Sequence, residues 1–427
     1  MKKMSLFIAV VSSLAFLCCG CGSGKAPETK GVEIKVAYWG SPEEMSIIRK
    51  SIDLWQKQNP DIRVTLEHTP FSGYVSKILT RIAGGAAPDI IAAEVGLFTA
   101  FVGKDVFLDL KPYADSDEDF SISDFFPEVL QRFSVEGKLF GIPRDTAPFA
   151  CVYYNKKLFD QAGLAYPGDE WTWAEFLDTA QKLTKSENGK ITQFGFYSIF
   201  WQNFIYSNGG SLVDNVRNPK KCMLNKPESI EGLKFYVDLI NKYRVSPTPL
   251  VLGNTGMDAY QLFSGQRIAM YCSGIWESPA FRKIKDFDWD VAMFPKGYKG
   301  VRGFGTGGTA YCVLKTTKNP QEAWRVIKAL TGDEAQSLFA ETGLAQPARK
   351  KIAEGEYWAK SNAKPLNKKM LNEAIKFVTY EPFHPKWREI MDLYVNPEFD
   401  LVFNGKVKVE EAVSKLAVKV NGLLKER

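Results

Sequence analysis

Histidine is scarce in this chain of 427 residues, where only His68 and His384 occur. A zinc centre or an imidazole-based triad is hard to assemble from two. Cysteine is sparse as well: of seven, Cys18, Cys19 and Cys21 sit near the start. Cys151, Cys222, Cys272 and Cys312 are far apart. So few in so large a chain do not require a disulfide framework. Cys151, Cys272 and Cys312 fall in strand-like apolar runs, where a thiol packs as a small hydrophobe. No long basic block exists: 55 Lys and Arg are interspersed with 49 Asp and Glu, net +6. A nucleic-acid partner is therefore not expected. No short-period repeat or low-complexity tract is visible. The apolar run at residues 6–17 falls short of the roughly 20 residues that span a bilayer.

What the start of the chain does contain is Lys2 and Lys3, that apolar run, and then small residues. This is the order of a secretory signal. Gly20-Cys21-Gly22-Ser23-Gly24 resembles the lipobox of bacterial lipoproteins, although Cys18 stands where that pattern prefers Leu. The resemblance implies cleavage after residue 20, lipidation of Cys21, and a tether over residues 21–31. The mature protein is then expected outside the cytoplasm, anchored to a membrane.

Removing the leader leaves roughly 400 residues, too many for one core and comfortable for two domains. About 45% apolar and 24% charged residues are ordinary for a globular protein. Residues 32–39 alternate like a strand. Ser41-Pro42-Glu43-Glu44 then reads as a helix entry, with Glu44 closing a capping box on Ser41. Met45, Ile48, Ile52 and Trp55 share one helical face. Ile62, Val64 and Leu66 form a second strand, and Val75, Ile78, Leu79 and Ile82 a second helix. Gly84-Gly85-Ala86-Ala87-Pro88 breaks it ahead of a buried strand over 89–94. Strand, helix, strand, helix, strand within about 60 residues predicts a parallel α/β sheet. Such sheets bind ligands beyond their C-terminal strand ends, where Trp39 and Glu94 fall. Further helices are expected at 172–185, capped by Thr172 and Glu175, and at 229–243, 321–331 and 410–425. Further strands are expected at 267–272, 289–294 and 310–314.

Several ordered segments carry a family resemblance. Gly84-Gly85-Ala86-Ala87-Pro88-Asp89-Ile90 resembles the Gly-x-x-Pro-Asp-Ile segment of extracellular solute-binding proteins, the receptors of ATP-binding-cassette importers. Tyr153-Tyr154-Asn155-Lys156-Lys157-Leu158-Phe159, Trp171-Thr172-Trp173-Ala174-Glu175-Phe176 and Asn208-Gly209-Gly210 are similar to further family blocks. So are Gly265-Gln266-Arg267-Ile268-Ala269-Met270, Gly274-Ile275-Trp276 and Asn319-Pro320-Gln321-Glu322-Ala323. The resemblance lies with the maltose- and oligosaccharide-binding branch. It implies a two-lobed α/β fold of the type II binding-protein class, with the ligand in the interlobe cleft. Lobe 1 is then expected over 32–143 plus 309–347, and lobe 2 over 146–303 plus 355–427. Crossings between them are expected near 143–146, 303–308 and 348–354.

Glycan recognition needs flat aromatic faces with carboxylates or amides beside them. Of ten tryptophans, Trp55 and Trp324 read as core, Trp171, Trp173 and Trp289 as structural. Trp276 matches the family's cleft tryptophan, and Trp39, Trp201 and Trp387 fall at strand ends or in irregular segments. Glu94, Asp145 and Glu277 are the candidate acids, while Asp89 reads as a structural cap. Gly303-Phe304-Gly305-Thr306-Gly307-Gly308 fits G-x-G-x-x-G, but a strand rather than a helix is expected after it, so no dinucleotide site is inferred. Gly307 is instead expected in the cleft wall.

The expected function is a membrane-anchored receptor that captures a sugar or oligosaccharide for an importer's membrane subunits, without cofactor or metal, as a monomer. One alternative is the same fold carrying a polyamine, an iron chelate or a phosphorylated polyol; Arg144 keeps an anion open. Another is a glycoside hydrolase using Glu94 and Glu277, which needs its carboxylates about 5 to 9.5 Å apart.

Overall fold

The computed structural model describes residues 31–426. The proposed signal, and Cys21 with it, lie outside the described residues. The first sheet has five strands in the order Ile62–His68, Val32–Tyr38, Ile90–Glu94, Thr309–Val313, Ile142–Pro143. The first three run parallel, and Thr309–Val313 opposes both of its neighbours. Ile34, Val36, Ile90 and Ile91 are fully buried, because helices cover both faces. Tyr74 locks this sheet from helix Phe71–Ala83: its hydroxyl donates to the carbonyls of Ala37 and Ala92.

The second sheet runs Trp289–Met293, Cys151–Asn155, Ile268–Ser273, Lys190–Ser198, Lys185–Glu187. Lys190–Ser198 and Ile268–Ser273 are parallel, and Cys151–Asn155 is antiparallel to the strands on either side. Helix Trp173–Leu183 carries the expected reciprocal cap between Thr172 and Glu175. Helix Val409–Leu423 buries Val413, Leu416, Val420 and Leu423 on one stripe. The four described cysteines are buried free thiols.

A third, four-stranded sheet lies between these two, in the order Gln346–Pro347, Asp145–Pro148, Phe304–Gly307, Val378–Thr379. Within residues 142–155 the chain passes from the first sheet through this one into the second. It returns through Phe304–Gly307 into Thr309–Val313. The glycine-rich segment is thus a strand followed by a strand. Gly308 takes φ +133°, and a Cβ there would meet the backbone of Asp145 and Thr146 at 3.0–3.1 Å. Pro347 is followed by helix Lys350–Ala353, whose Ile352 and Ala353 pack in the second core.

The helix entry at residue 41 differs from expectation. Ser41 does accept from the Glu44 N–H, but the Glu44 carboxylate does not reach back. It pairs with Arg144 at 2.7 Å instead. Nε of Arg144 donates to the adjacent Asp145 carboxylate at 2.6 Å, and the guanidinium lies 4.4 Å over the Phe339 ring. The other Asp145 oxygen accepts the Thr309 N–H at 2.9 Å. Glu44, Arg144 and Asp145 are all buried. A buried ion pair gains little over an apolar substitute, but removing one partner strands the others. Arg144→Met should therefore cost about 3–5 kcal/mol in urea denaturation, since Glu44 and Asp145 lose their shared counter-ion. A loss below about 1 kcal/mol would mean the network is not holding the crossing.

Candidate functional site

Two aromatic groups stand at strand ends on opposite sides of the middle sheet. On the first lobe, Trp39 follows strand Val32–Tyr38 and packs edge-on against Phe71 at 5.5 Å and Tyr74 at 4.9 Å. Phe71 is 48% exposed. On the second lobe, Phe149 and Phe200 stack face to face at 3.9 Å, nearly coplanar. Trp276 stands perpendicular to both, at 6.0 and 6.3 Å, and is 37% exposed. Exposure at a strand end, with a rigid aromatic bracket behind it, gives Trp276 a surface to offer a ligand.

Gly274 explains the spacing of this tryptophan. The indole folds back over the Gly274 backbone, so that a Cβ there would sit 1.9 Å from Trp276 Cζ3. An ion pair spans the two lobes near these groups. Glu43, just past Trp39, meets Lys283, just past the Trp276 turn, at 3.0 Å. Both partners are substantially exposed, so the pair is worth about 0–1 kcal/mol and opens readily.

The cleft floor lies at the middle sheet. Phe149, Gln202 and Tyr206 of the second lobe line it with Thr306 and Thr379 of the middle sheet. Glu381, Trp387 and Met391 complete the wall. Among these residues there is one carboxyl group and neither Lys nor Arg. Glu381 is reachable by solvent. Surrounding protein nevertheless desolvates its carboxyl, and neighbouring Glu94 adds repulsion, pushing it up to about 8. Arg388 opposes this shift.

The candidate residues named from sequence fall into distinct settings. Glu94 is not free on the cleft surface. It caps helix Val95–Val102, accepting from the N–H groups of Gly96 at 2.6 Å and Leu97 at 2.8 Å. Its carboxyl is raised by desolvation, against those two hydrogen bonds. Asp145 is 3% exposed, with both oxygens committed to the Arg144 network. Glu277 is half-buried and accepts from Ser273 at 2.9 Å and Tyr271 at 3.3 Å, its carboxyl also raised by desolvation. Gly307 lies in the middle sheet beside Phe149, and its carbonyl accepts from the buried Arg132 at 2.7 Å. Trp387 is 4% exposed and lines the cleft wall. Trp201 is 7% exposed, edge-on to Phe399 at 4.7 Å. Arg144, the candidate anion partner, is spent within its buried network. Asp89 accepts from the Lys35 N–H and the Thr317 hydroxyl, a structural role.

Sequence reasoning missed Phe149, Phe200 and Glu381. Phe200 carried a usable signal, since it follows a long strand by two residues, as Trp39 follows its own. Glu381 carried none, because the segment leading into it pairs only at Val378–Thr379. Among the described residues, no group of three or more His, Cys, Asp or Glu could hold a metal ion. No described helix is long and apolar enough to cross a membrane.

The family model of the bacterial extracellular solute-binding protein matches residues 39–337. The chain belongs to that family. Its similarity extends to the "multiple sugar-binding protein" of Streptococcus mutans, 24% identical over 396 residues, covering 86% of each chain. An ABC substrate-binding protein from Listeria monocytogenes, solved with cycloalternan, superposes with a TM-score of 0.83 at 26% identity, over 93% of this chain and 100% of that one. A maltose-bound T. maritima protein gives 0.78 at 22% identity, over 92% and 100%, a likeness of fold. The fold of this solute-binding protein is therefore the two-lobed one, with the middle sheet joining the lobes.

Because the Gly274 backbone sets the Trp276 indole, Gly274→Ala should displace that ring and weaken ligand binding several-fold while leaving the fold intact. Tryptophan fluorescence and a melting curve check this; an unshifted emission spectrum with unchanged affinity would contradict it.

Proposed function

We propose that this chain is the lipid-anchored receptor of an ATP-binding-cassette importer, closing its lobes on a neutral sugar or oligosaccharide and releasing it unaltered. The observation that carries the reading is the exposed Trp276 held perpendicular to the Phe149–Phe200 stack, with Phe149 also lining a floor of hydroxyls, an amide and a carboxyl. Aromatic faces take the C–H faces of a sugar ring, and the polar groups take its hydroxyls. The similarity to the multiple sugar-binding protein and to the cycloalternan-bound receptor supports the same class.

Charge argues against the alternatives. A phosphorylated polyol wants Arg or Lys in the cleft, and the lining residues include neither. A polyamine wants an ionised carboxylate. Glu381 has its carboxyl pushed up to about 8 by desolvation and by repulsion from Glu94, which weakens its hold on an ammonium group. In its protonated form it both donates to and accepts from sugar hydroxyls. Hydrolysis wants two carboxylates free to act on one bond. Glu94 is spent on a helix cap and Glu277 on Ser273 and Tyr271. The chain is accordingly read as a binding protein rather than an enzyme.

In this reading the lobes comprise 32–143 plus 309–347 and 146–303 plus 355–427. The protein acts as a monomer, anchored through Cys21, and presents surfaces of both lobes to the importer's membrane subunits. Ligand shifts the open–closed balance only by binding the closed state more tightly, so both aromatic groups must contribute.

Calorimetry and thermal shift against a panel of neutral sugars, polyamines and phosphorylated polyols test this. A neutral sugar should bind, and Trp276→Ala should weaken it at least tenfold, about 1.4 kcal/mol, without lowering the melting temperature of the free protein. Stabilisation by polyamines or phosphorylated polyols alone, or full affinity in Trp276→Ala, would overturn the reading.

A further inference from the structure

A second groove opens beside the cleft, built from the second lobe alone. It lies past the C-terminal end of strand Lys190–Ser198, between helices Pro249–Thr255 and Asn396–Phe403. Gln202 lines both this groove and the cleft floor, so the two meet at this residue. Their far walls are continuous too. Met391 belongs to the cleft and Asn396 to the groove, and they flank a π-helical segment, Met391–Val395. Such segments are rare and concentrate at functional sites.

The lining identifies the occupant's chemistry. Tyr197 is half-buried in the groove, one face stacked on Tyr271 at 5.9 Å, which holds the ring rigid. Ser198, Asn396 and Asp400 supply hydroxyl, amide and carboxylate groups, and Asn396 and Asp400 are exposed. No Lys or Arg lines it. Ile199, Ile240, Pro247, Pro249 and Leu252 also line it, so the groove offers apolar and aromatic surface beside short polar groups and no cation, a lining that packs the C–H faces of a sugar and takes its hydroxyls. The rim helix keeps Leu250 61% exposed and Val251 40% exposed. That helix begins at Pro249, two residues past Pro247, and is capped by Gly256 in the left-handed region (φ 64°).

We infer that this groove is an accessory carbohydrate subsite, in which Tyr197, Asn396 and Asp400 hold the sugar units of a ligand that extends out of the cleft past Gln202. The inference rests on the sugar-binding reading of the cleft. It adds that the ligand is long, and that its extension is held by one lobe only. The extension's share of the affinity is then present while the lobes stand open, and capture begins on the second lobe.

The test is a chain-length series by calorimetry on the purified mature protein. Linear malto-, xylo- and mannooligosaccharides of two to six units serve as probes, with wild type, Asp400→Ala and Asn396→Ala compared. Both substitutions are at exposed helix positions, so folding is preserved. In the series that binds, wild-type affinity should rise at least tenfold between two and five units. Each variant should lose most of that rise, about three- to tenfold, while keeping disaccharide affinity. Affinity independent of chain length, or variants that retain the full rise, would overturn the subsite and leave the cleft reading intact. Absence of binding by every sugar would overturn the cleft reading, and the subsite with it.

Discussion

The buried guanidinium of Arg144 is the constraint on which the arrangement of the lobes depends. It sits where the chain leaves the first sheet and is gripped by Glu44 from one side and Asp145 from the other. Asp145 in turn holds the returning strand through the Thr309 N–H. Two crossing strands and the first helix of the fold therefore share one charge cluster. Burial makes that cluster costly to break and leaves it little freedom to deform. Rotation of the lobes has to be taken up elsewhere, in the short pairings of the middle sheet, each of which registers only two residues per strand. The contact between lobes at the mouth, Glu43 with Lys283, is solvent-exposed and weak. A firm pivot and a weak mouth are what a capture device needs.

Further ties run across the pivot. Arg217, from a loop of the second lobe, donates to the Ser134 carbonyl of the first and lies 4.3 Å over the Phe383 ring. Arg132, wholly buried, reaches the Gly307 carbonyl. Neither cation lines the cleft floor. These two guanidinium groups thus serve architecture, and a floor without Lys or Arg suits a neutral ligand. The two neighbouring carboxyl groups, Glu94 and Glu381, follow the same division. One caps a helix, and the other, beside it, is driven toward its neutral form.

Much of the fold was legible in the chain because its local signals agree with its global structure. Alternation over residues 32–38 and the apolar run at 90–94 each became a parallel strand. The Thr172–Glu175 cap formed as expected. Local rules failed where long-range contacts outbid them. Glu44 satisfied the capping-box pattern, yet a buried Arg144, 100 positions along the chain, claimed its carboxylate. Leu79 satisfied the helical stripe but remains 40% exposed, since Tyr74 and Ile78 supply the buried face. The middle sheet was invisible because its strands, two to four residues long, are too short to show a period. The candidate site was legible in part for the same reason. Trp39 and Trp276 each follow a regular strand and sit within an aromatic group. Phe149 and Glu381 are placed by the middle sheet, so no local pattern announced them.

Closure around a ligand is the central claim, and small-angle X-ray scattering tests it most directly. Adding a saturating sugar identified by calorimetry should shrink the radius of gyration of the purified mature protein and shift its scattering profile toward a more compact two-lobed shape. Superimposable profiles with and without a bound ligand would contradict the account.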